Sequence, residues 1–478
     1  MDKGRCVKRT EAETGLVTCR NSKGVPVRGS LLRVSPQGVV FEVYNPFSLV
    51  QLSEVLTDFR IQVGARTLYA GRATTSSLVN TGLLMIVEVT LANPLTLSGT
   101  NAGLPGIDEF RGEVEEFLAK WQTSALVRPE FKVAVNDMRS FLLDLSLWLN
   151  QTEFVLREAS DNTEHREHEL VDAVAAPVRP MFAEFLGRLG MLGESISREA
   201  EASYKTYICR ALHPVMMCSP FIYRTVTKPL GYAGDYEMIN MILGEPRRGE
   251  TLFAKTLNAL VLEVEAAEAH RNRITELARV LTTEGHRTRE LGRRMRVLNV
   301  GCGPSKEVRD FIRSSPDASR TDITLLDFSP EALAFAQEKT EAVRQEVASG
   351  IRIAYVEKSV DDLLRESVGA QSGTVAEDEL YDLVYCAGLF DYFIDPVCKR
   401  MVSLFYRKLV PGGLVVVTNL HPRNPVRWIM EYLLAWVVIH RDERQLGKLD
   451  DTGGKQNIYV EPTGVNVFLC ARKPERES

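Results

Sequence analysis

The chain has little of what staples or anchors a protein. Its eight cysteines (Cys6, Cys19, Cys209, Cys218, Cys302, Cys386, Cys398, Cys470) include no CxxC pair, and none has a histidine at zinc-finger spacing. A disulfide scaffold and a zinc ribbon are therefore not expected, and the thiols read as small core residues of a reducing compartment. No apolar run is long enough to cross a bilayer: the stretch from Trp428 to Ile439 is too short and contains Glu431. The opening MDKGRCVKRT lacks the apolar segment of a secretion signal, so the expected location is the cytoplasm. A basic excess is missing too, with 58 Lys and Arg against 63 Asp and Glu and a net charge of -5. That balance argues against nucleic acid as a partner, because phosphate binding is driven by cationic side chains.

What remains is a chain of 478 residues, 45% hydrophobic and 25% charged, which is the composition of a globular protein. At ~150 residues per domain it has room for roughly three domains. Residues 1–100 carry short apolar runs (Val25 to Val27, Gly29 to Val34, Val39 to Val43, Phe59 to Val63, Thr67 to Arg72, Leu83 to Leu91) punctuated by Gly, Asn and Pro, the pattern of a small antiparallel β-barrel. Residues 101–215 change to helical period. Phe110, Val114, Phe117, Leu118 and Trp121 recur at three and four, as do Met138, Phe141, Leu142, Leu145 and Trp148. A third helix is expected from Glu164 and a fourth from Pro180 to Leu192. His165 and His168 in the charged run between them read as a solvated helix start rather than a metal site, since no further ligand lies at useful spacing.

Residues 291–478 alternate strand and helix. RVLNV, ITLLDF, IRIAYV, YDLVYCA and LVVVTNL are five runs rich in Val, Ile and Leu, as a parallel sheet covered on both faces requires. The expected fold is thus multidomain: a small N-terminal β-barrel, a helical middle and a doubly wound C-terminal α/β domain, with ligand at the carboxyl ends of the strands.

The first of these strands runs into Asn299-Val-Gly301-Cys302-Gly303-Pro-Ser305-Lys306. Paired glycines directly after a strand allow a sharp turn and close approach of a ligand to the backbone. Lys306 stands where a dinucleotide site wants its third glycine, so NAD and FAD are disfavoured. The second strand ends at Asp327-Phe328-Ser329-Pro330, where a carboxylate can accept both hydroxyls of a ribose and an aromatic ring can cover adenine. The third ends at Lys358-Ser359-Val360-Asp361, the fourth at Cys386-Ala-Gly388-Leu-Phe-Asp391-Tyr392, and Pro411-Gly-Gly413 precedes the fifth.

This order resembles the motifs of the Rossmann-like S-adenosylmethionine methyltransferases, with Asn299 in place of the common acidic residue and Ser305 at the third glycine. The resemblance implies S-adenosylmethionine as methyl donor, held by Asn299, Gly301, Cys302, Gly303, Asp327, Phe328, one of Ser359, Val360 and Asp361, and Cys386. The absence of an Asn/Asp-Pro-Pro-Tyr element after the fourth strand speaks against methylation of nucleic-acid amino groups. Upstream, within residues 216–290, lies Lys228-Pro-Leu-Gly231-Tyr232-Ala-Gly234-Asp235-Tyr236. Its glycines, proline and tyrosines make either a rigid connector or a functional loop. It is similar to the Lys-Pro-x-Gly-Tyr-x-Gly-Asp-Tyr signature of a bacterial family that includes enzymes making the methyl ester of 3-hydroxypalmitic acid. That likeness implies a lid placing Tyr232 and Asp235 over the donor, with Lys228 facing the donor's carboxylate.

A carboxylate acceptor needs no general base, whereas a hydroxyl or ammonium does. Candidates near the acceptor are Asp391 and Tyr392 after the fourth strand and His421 after the fifth, and the run from Trp428 to Ile439 is either a core helix or the wall of an acyl pocket. The expected substrate is a small or fatty-acyl carboxylate; the alternatives are an amine, hydroxyl or protein acceptor, or a non-catalytic sensor. At the N-terminus, Arg5 to Arg9 and Arg33-Val-Ser35-Pro-Gln-Gly38 resemble the PilZ domain, which implies cyclic di-GMP as a ligand, with packing or homodimer formation as the other use of such a barrel.

Overall fold

The computed structural model describes residues 15–43, 50–63, 66–80, 85–95, 111–112, 114–115, 118, 127–159, 164–369 and 380–475. The chain divides into two compact units, Met1–Thr227 with Arg247–Val261, and Lys228–Pro246 with Leu262–Ser478.

In the first unit, β1 (Leu16–Arg20), β2 (Pro26–Val34), β3 (Gly38–Val43), β4 (Val55–Val63), β5 (Arg66–Asn80) and β6 (Met85–Leu91) close into an antiparallel barrel in the order β1-β2-β3-β6-β5-β4. Strict alternation drives the closure. Val39, Phe41 and Val43 of β3 and Met85, Val87, Val89 and Leu91 of β6 all turn inward. Phe59 lies edge-on to both Phe41 and Tyr69 at the barrel's centre, with ring centroids 5.8 and 6.2 Å away. Arg5 and Arg9 lie outside the described residues. Ser35 bridges the tight β2–β3 turn, its hydroxyl contacting both the amide and the carbonyl of Gly38, and Arg33 pairs with Glu88 across 3.5 Å on the surface.

Helices α1 (Pro129–Ala159), α2 (Glu164–Glu194), α3 (Glu201–Met216) and α4 (Pro220–Thr227) follow. Phe131, Val135, Met138, Leu142 and Leu149 make the buried face of α1; of the residues expected there from the sequence, Met138 and Leu142 are buried, Phe141 and Leu145 are half-buried, and Trp148 is exposed, with Leu149 buried in its stead. Val114 and Leu118 are exposed, while Phe110, Phe117 and Trp121 lie outside the described residues. The expected break before Pro180 is absent: α2 is continuous through Pro177 and Pro180. Both prolines sit on its exposed side, where water can satisfy the carbonyls they leave unpaired.

In the second unit, α5 (Tyr236–Leu243) and α7 (Glu265–Glu290) precede a seven-stranded sheet; α6 (Leu252–Leu262) lies between them in sequence. The sheet is built from β7 (Met295–Val300), β8 (Thr321–Asp327), β9 (Arg352–Glu357), β10 (Tyr381–Cys386), β11 (Leu409–Leu420), β12 (Lys455–Val460) and β13 (Asn466–Arg472). All five expected strands are present. The sheet is mixed rather than wholly parallel, because a β12–β13 hairpin adds antiparallel to β11. Between the strands run α8 (Lys306–Ser314), α9 (Pro330–Glu346), α10 (Val360–Gly369) and α11 (Asp395–Arg407). The order β12-β13-β11-β10-β7-β8-β9 reverses direction between β7 and β10, which is where an open α/β sheet leaves a crevice for ligand. Among the described residues no helix is long and apolar enough to cross a membrane. The run from Trp428 to Ile439 is helical only as α12 (Arg427–Tyr432), and Ala435 beyond it adopts the left-handed conformation.

Candidate active site

A cleft opens at that reversal point, lined by residues from the ends of β7, β8 and β10, from α7 and from the 228–246 segment. β7 delivers Asn299 and then a turn in which Gly301, Gly303 and Ser305 all take positive φ. Gly303 faces open space, so nothing of the protein fills the position where a side chain would stand. Ser305 adopts φ 49° where the related motif has glycine.

At the tip of β8, Asp327 is buried and accepts the amides of Gly303 (2.9 Å) and Ser329 (3.1 Å). Burial raises its pKa despite those bonds. Phe328 beside it is half-exposed, and the Tyr232 ring from the 228–246 segment lies 5.2 Å away. Gly234 in the same segment has φ 77°, and a Cβ there would fall 2.5 Å from the Tyr392 hydroxyl. That hydroxyl in turn accepts the Trp436 indole N–H at 2.8 Å.

Ten of the expected site residues line this cleft: Tyr232, Asn299, Gly301, Cys302, Gly303, Asp327, Phe328, Val360, Asp391 and Tyr392. Five do not. Asp235 caps α5 by accepting the Met238 amide. The Lys228 ammonium donates to the Leu434 carbonyl at 3.3 Å. Ser359 is engaged with Asp362, and Cys386 is sealed in the core under the sheet. Both ring nitrogens of His421 are taken, by the Arg423 amide and by Glu443. Of the apolar run, Trp436 and Val438 reach the cleft, whereas Leu433 is core.

Several lining residues escape a reading of the sequence. Glu307, in the first turn of α8, is buried and accepts both the Asn299 amide (3.0 Å) and the Tyr385 hydroxyl (2.9 Å). A carboxylate is therefore present beside Asn299, supplied from eight residues further along. His270 and Arg273 enter from α7, a helix rich in charged residues. His270 donates from Nδ1 to the Ala266 carbonyl at 2.8 Å, and burial pulls its pKa to about 3, so the ring is neutral. Burial pushes Tyr232 up to about 12 and raises Tyr392 and Cys302 as well. Asp391 is raised to about 6 by burial, and one of its oxygens accepts the Leu420 amide at 2.6 Å.

Residues 297–413 match the model of a methyltransferase domain, a span that holds the glycine turn, Asp327 and Asp391. No curated protein sequence matches this chain. Among solved structures, a possible exported protein from Bordetella parapertussis is 18% identical with a TM-score of 0.41, over 63% of this chain and 97% of that one. Magnesium protoporphyrin IX methyltransferase from Synechocystis PCC 6803 is 14% identical with a TM-score of 0.35, over 53% and 98%. The N-methyltransferase NodS from Bradyrhizobium japonicum WM9 is 18% identical with a TM-score of 0.28, over 44% and 98%. Likeness at this level says nothing of substrate.

Proposed function

We propose that the chain, an S-adenosylmethionine-dependent methyltransferase, esterifies the carboxylate of a 3-hydroxy fatty acid or a similar acyl acid. The residues at the β7–β8 tips suit an adenosine-bearing donor. Asp327 offers carboxylate oxygens to a ribose diol, Phe328 and Tyr232 offer aromatic faces to a base, and Gly303 leaves the approach open. When bound, the donor supplies a methyl group on a sulfonium whose sulfur departs as a neutral thioether. The protein's part is alignment and exclusion of water.

The observation that carries the choice of acceptor is that the histidine, tyrosines and thiol lining the cleft offer no base at neutral pH. His270 is pulled to about 3, and Tyr232, Tyr392 and Cys302 stay protonated at neutral pH. Asp391 titrates near neutrality at about 6, with one oxygen already engaged. A carboxylate acceptor arrives deprotonated and asks nothing of these groups, while an ammonium must first lose a proton. Trp436, Val438, Ile239 and Leu277 give the cleft an apolar wall for a chain. Binding of cyclic di-GMP by the barrel forms no part of this proposal.

The test is incubation with isotopically methyl-labelled donor and a panel of 3-hydroxy acids, amines and phenols, read by mass spectrometry. The expected product is a methyl ester that releases its label in mild alkali. An N-methyl or aryl ether product, or no product from a chain shown to bind the donor, overturns the proposal.

A further inference from the structure

Arg273 is a buried charge in the second unit whose Nε has no hydrogen-bond partner. It is 6% exposed, on the cleft side of α7 between His270 and Leu277. Among the described residues its guanidinium has no hydrogen bond and no ion pair, and its Nε is both buried and unpartnered. The group sits against the loop that follows β10: a Cβ added at Gly388 would lie 3.1 Å from Nη1 and 3.3 Å from Nη2. Two acidic side chains in the cleft, Asp391 and Glu307, balance part of its charge through space but make no hydrogen bond or ion pair with it; one oxygen of each is taken, Glu307 by Asn299 and Tyr385 and Asp391 by the Leu420 amide.

Arg441 shows how the same unit treats a guanidinium whose task is structural. That side chain is equally buried but donates to Asp395, to the Asn419 side chain and to the carbonyls of Phe390 and Phe393, at 2.7 to 3.0 Å. A buried cation without such partners is costly to keep, and an anion brought in by a ligand removes the cost. The planar fork of arginine matches a carboxylate at two points.

We infer that Arg273 is the carboxylate anchor of the cleft, gripping the carboxylate of a bound ligand through its guanidinium. The inference rests on the methyl-transfer reading above, which supplies two carboxylates: that of the donor's amino-acid portion and that of the acyl acceptor. The chemistry of the grip is the same for both.

Full-length wild-type, Arg273→Met and Arg273→Lys proteins are titrated by calorimetry with S-adenosylhomocysteine, with 5′-methylthioadenosine, which lacks the carboxylate, and with 3-hydroxyhexadecanoate. The expected result for Arg273→Met is a loss of about 10- to 100-fold in affinity for one carboxylate-bearing probe, with 5′-methylthioadenosine unaffected and partial recovery in Arg273→Lys. Loss confined to S-adenosylhomocysteine assigns the donor's carboxylate, and loss confined to 3-hydroxyhexadecanoate assigns the acceptor's. Unchanged affinity for both carboxylates, or an equal loss for 5′-methylthioadenosine, overturns the inference. Wild-type protein that binds neither nucleoside defeats the donor reading instead, and the hydroxy acid titration then decides for Arg273 by itself.

Discussion

The barrel and the α/β unit bury very different things. Inside the barrel the buried polar side chains are Asn21 and Thr75, and no charged group is enclosed among the described residues. The α/β unit encloses Arg273, Glu284, Glu307, Asp327, Asp382, Asp391 and Arg441. Because each enclosed charge must recover its lost hydration, a region that holds many of them is shaped by more than stability. Some are paired within the protein: Asp382 pairs with Arg293 and accepts the Arg296 amide, and Glu284 pairs with Arg287 and Arg472. Of those facing the cleft, Arg273 has no hydrogen bond among the described residues, and this separates it from a structural charge such as Arg441.

The sharpest way to break that distinction is to remove one arginine of each kind. Arg441→Met should cost about 3–5 kcal/mol in chemical denaturation, because it strands two carbonyls and the Asn419 oxygen. Arg273→Met should cost less, within about 1 kcal/mol of wild type, because no hydrogen bond or ion pair among the described residues is lost with it. Equal losses would erase the contrast.

A second test uses pH. His270 is held at about 3 against an ordinary 6.5, so below pH 6.5 the unfolded chain takes up a proton that the folded chain refuses, and stability falls with falling pH. Asp391 has the opposite sign: raised from 3.8 to about 6, it keeps its proton longer in the fold, and stability falls as pH rises through that window. Each slope is about 1.4 kcal/mol per pH unit, and between 3.8 and 6 the two oppose each other. His270→Gln and Asp391→Asn should therefore tilt the stability profile in opposite directions, the first removing acid lability and the second increasing it. Tilts of the same sign would show that the cleft charges are coupled to other groups. The smallest effect belongs to the barrel, where Ile61→Val should cost about 0.5–1.5 kcal/mol with no dependence on pH, read as faster amide exchange in β1 and β4.

The same contrast governs what could be read from the sequence. Alternation in β3 and β6 and the apolar runs of β7 to β11 are local patterns, and barrel and sheet follow from them. Gly301, Gly303 and Asp327 were legible because turn and carboxylate are contiguous with their strands. Arg273, His270 and Glu307 were not, because a charged residue on a helix looks the same whether it meets water or a cleft, and only the packing of α7 and α8 on the sheet decides. His421 and Asp235 show the reverse: each stands in a segment that reaches the cleft, while local hydrogen bonds engage it in turn stabilisation and helix capping. The helix expected over Trp428 to Ile439 ends early because the backbone reverses at Ala435, which carries Trp436 to its contact with Tyr392.

The hairpin of β12 and β13 has a consequence for how the enzyme is made. β11 lies between β10 and β13, and until residues 466–472 have emerged from the ribosome its outer row of amides and carbonyls faces solvent. A nascent chain that already carries the glycine turn, Asp327 and Asp391 thus still presents an open, strongly apolar strand edge, the kind of surface to which chaperones and neighbouring chains bind. Synthesis that stalls between β11 and β13 would leave a nearly finished methyltransferase domain in its most aggregation-prone form.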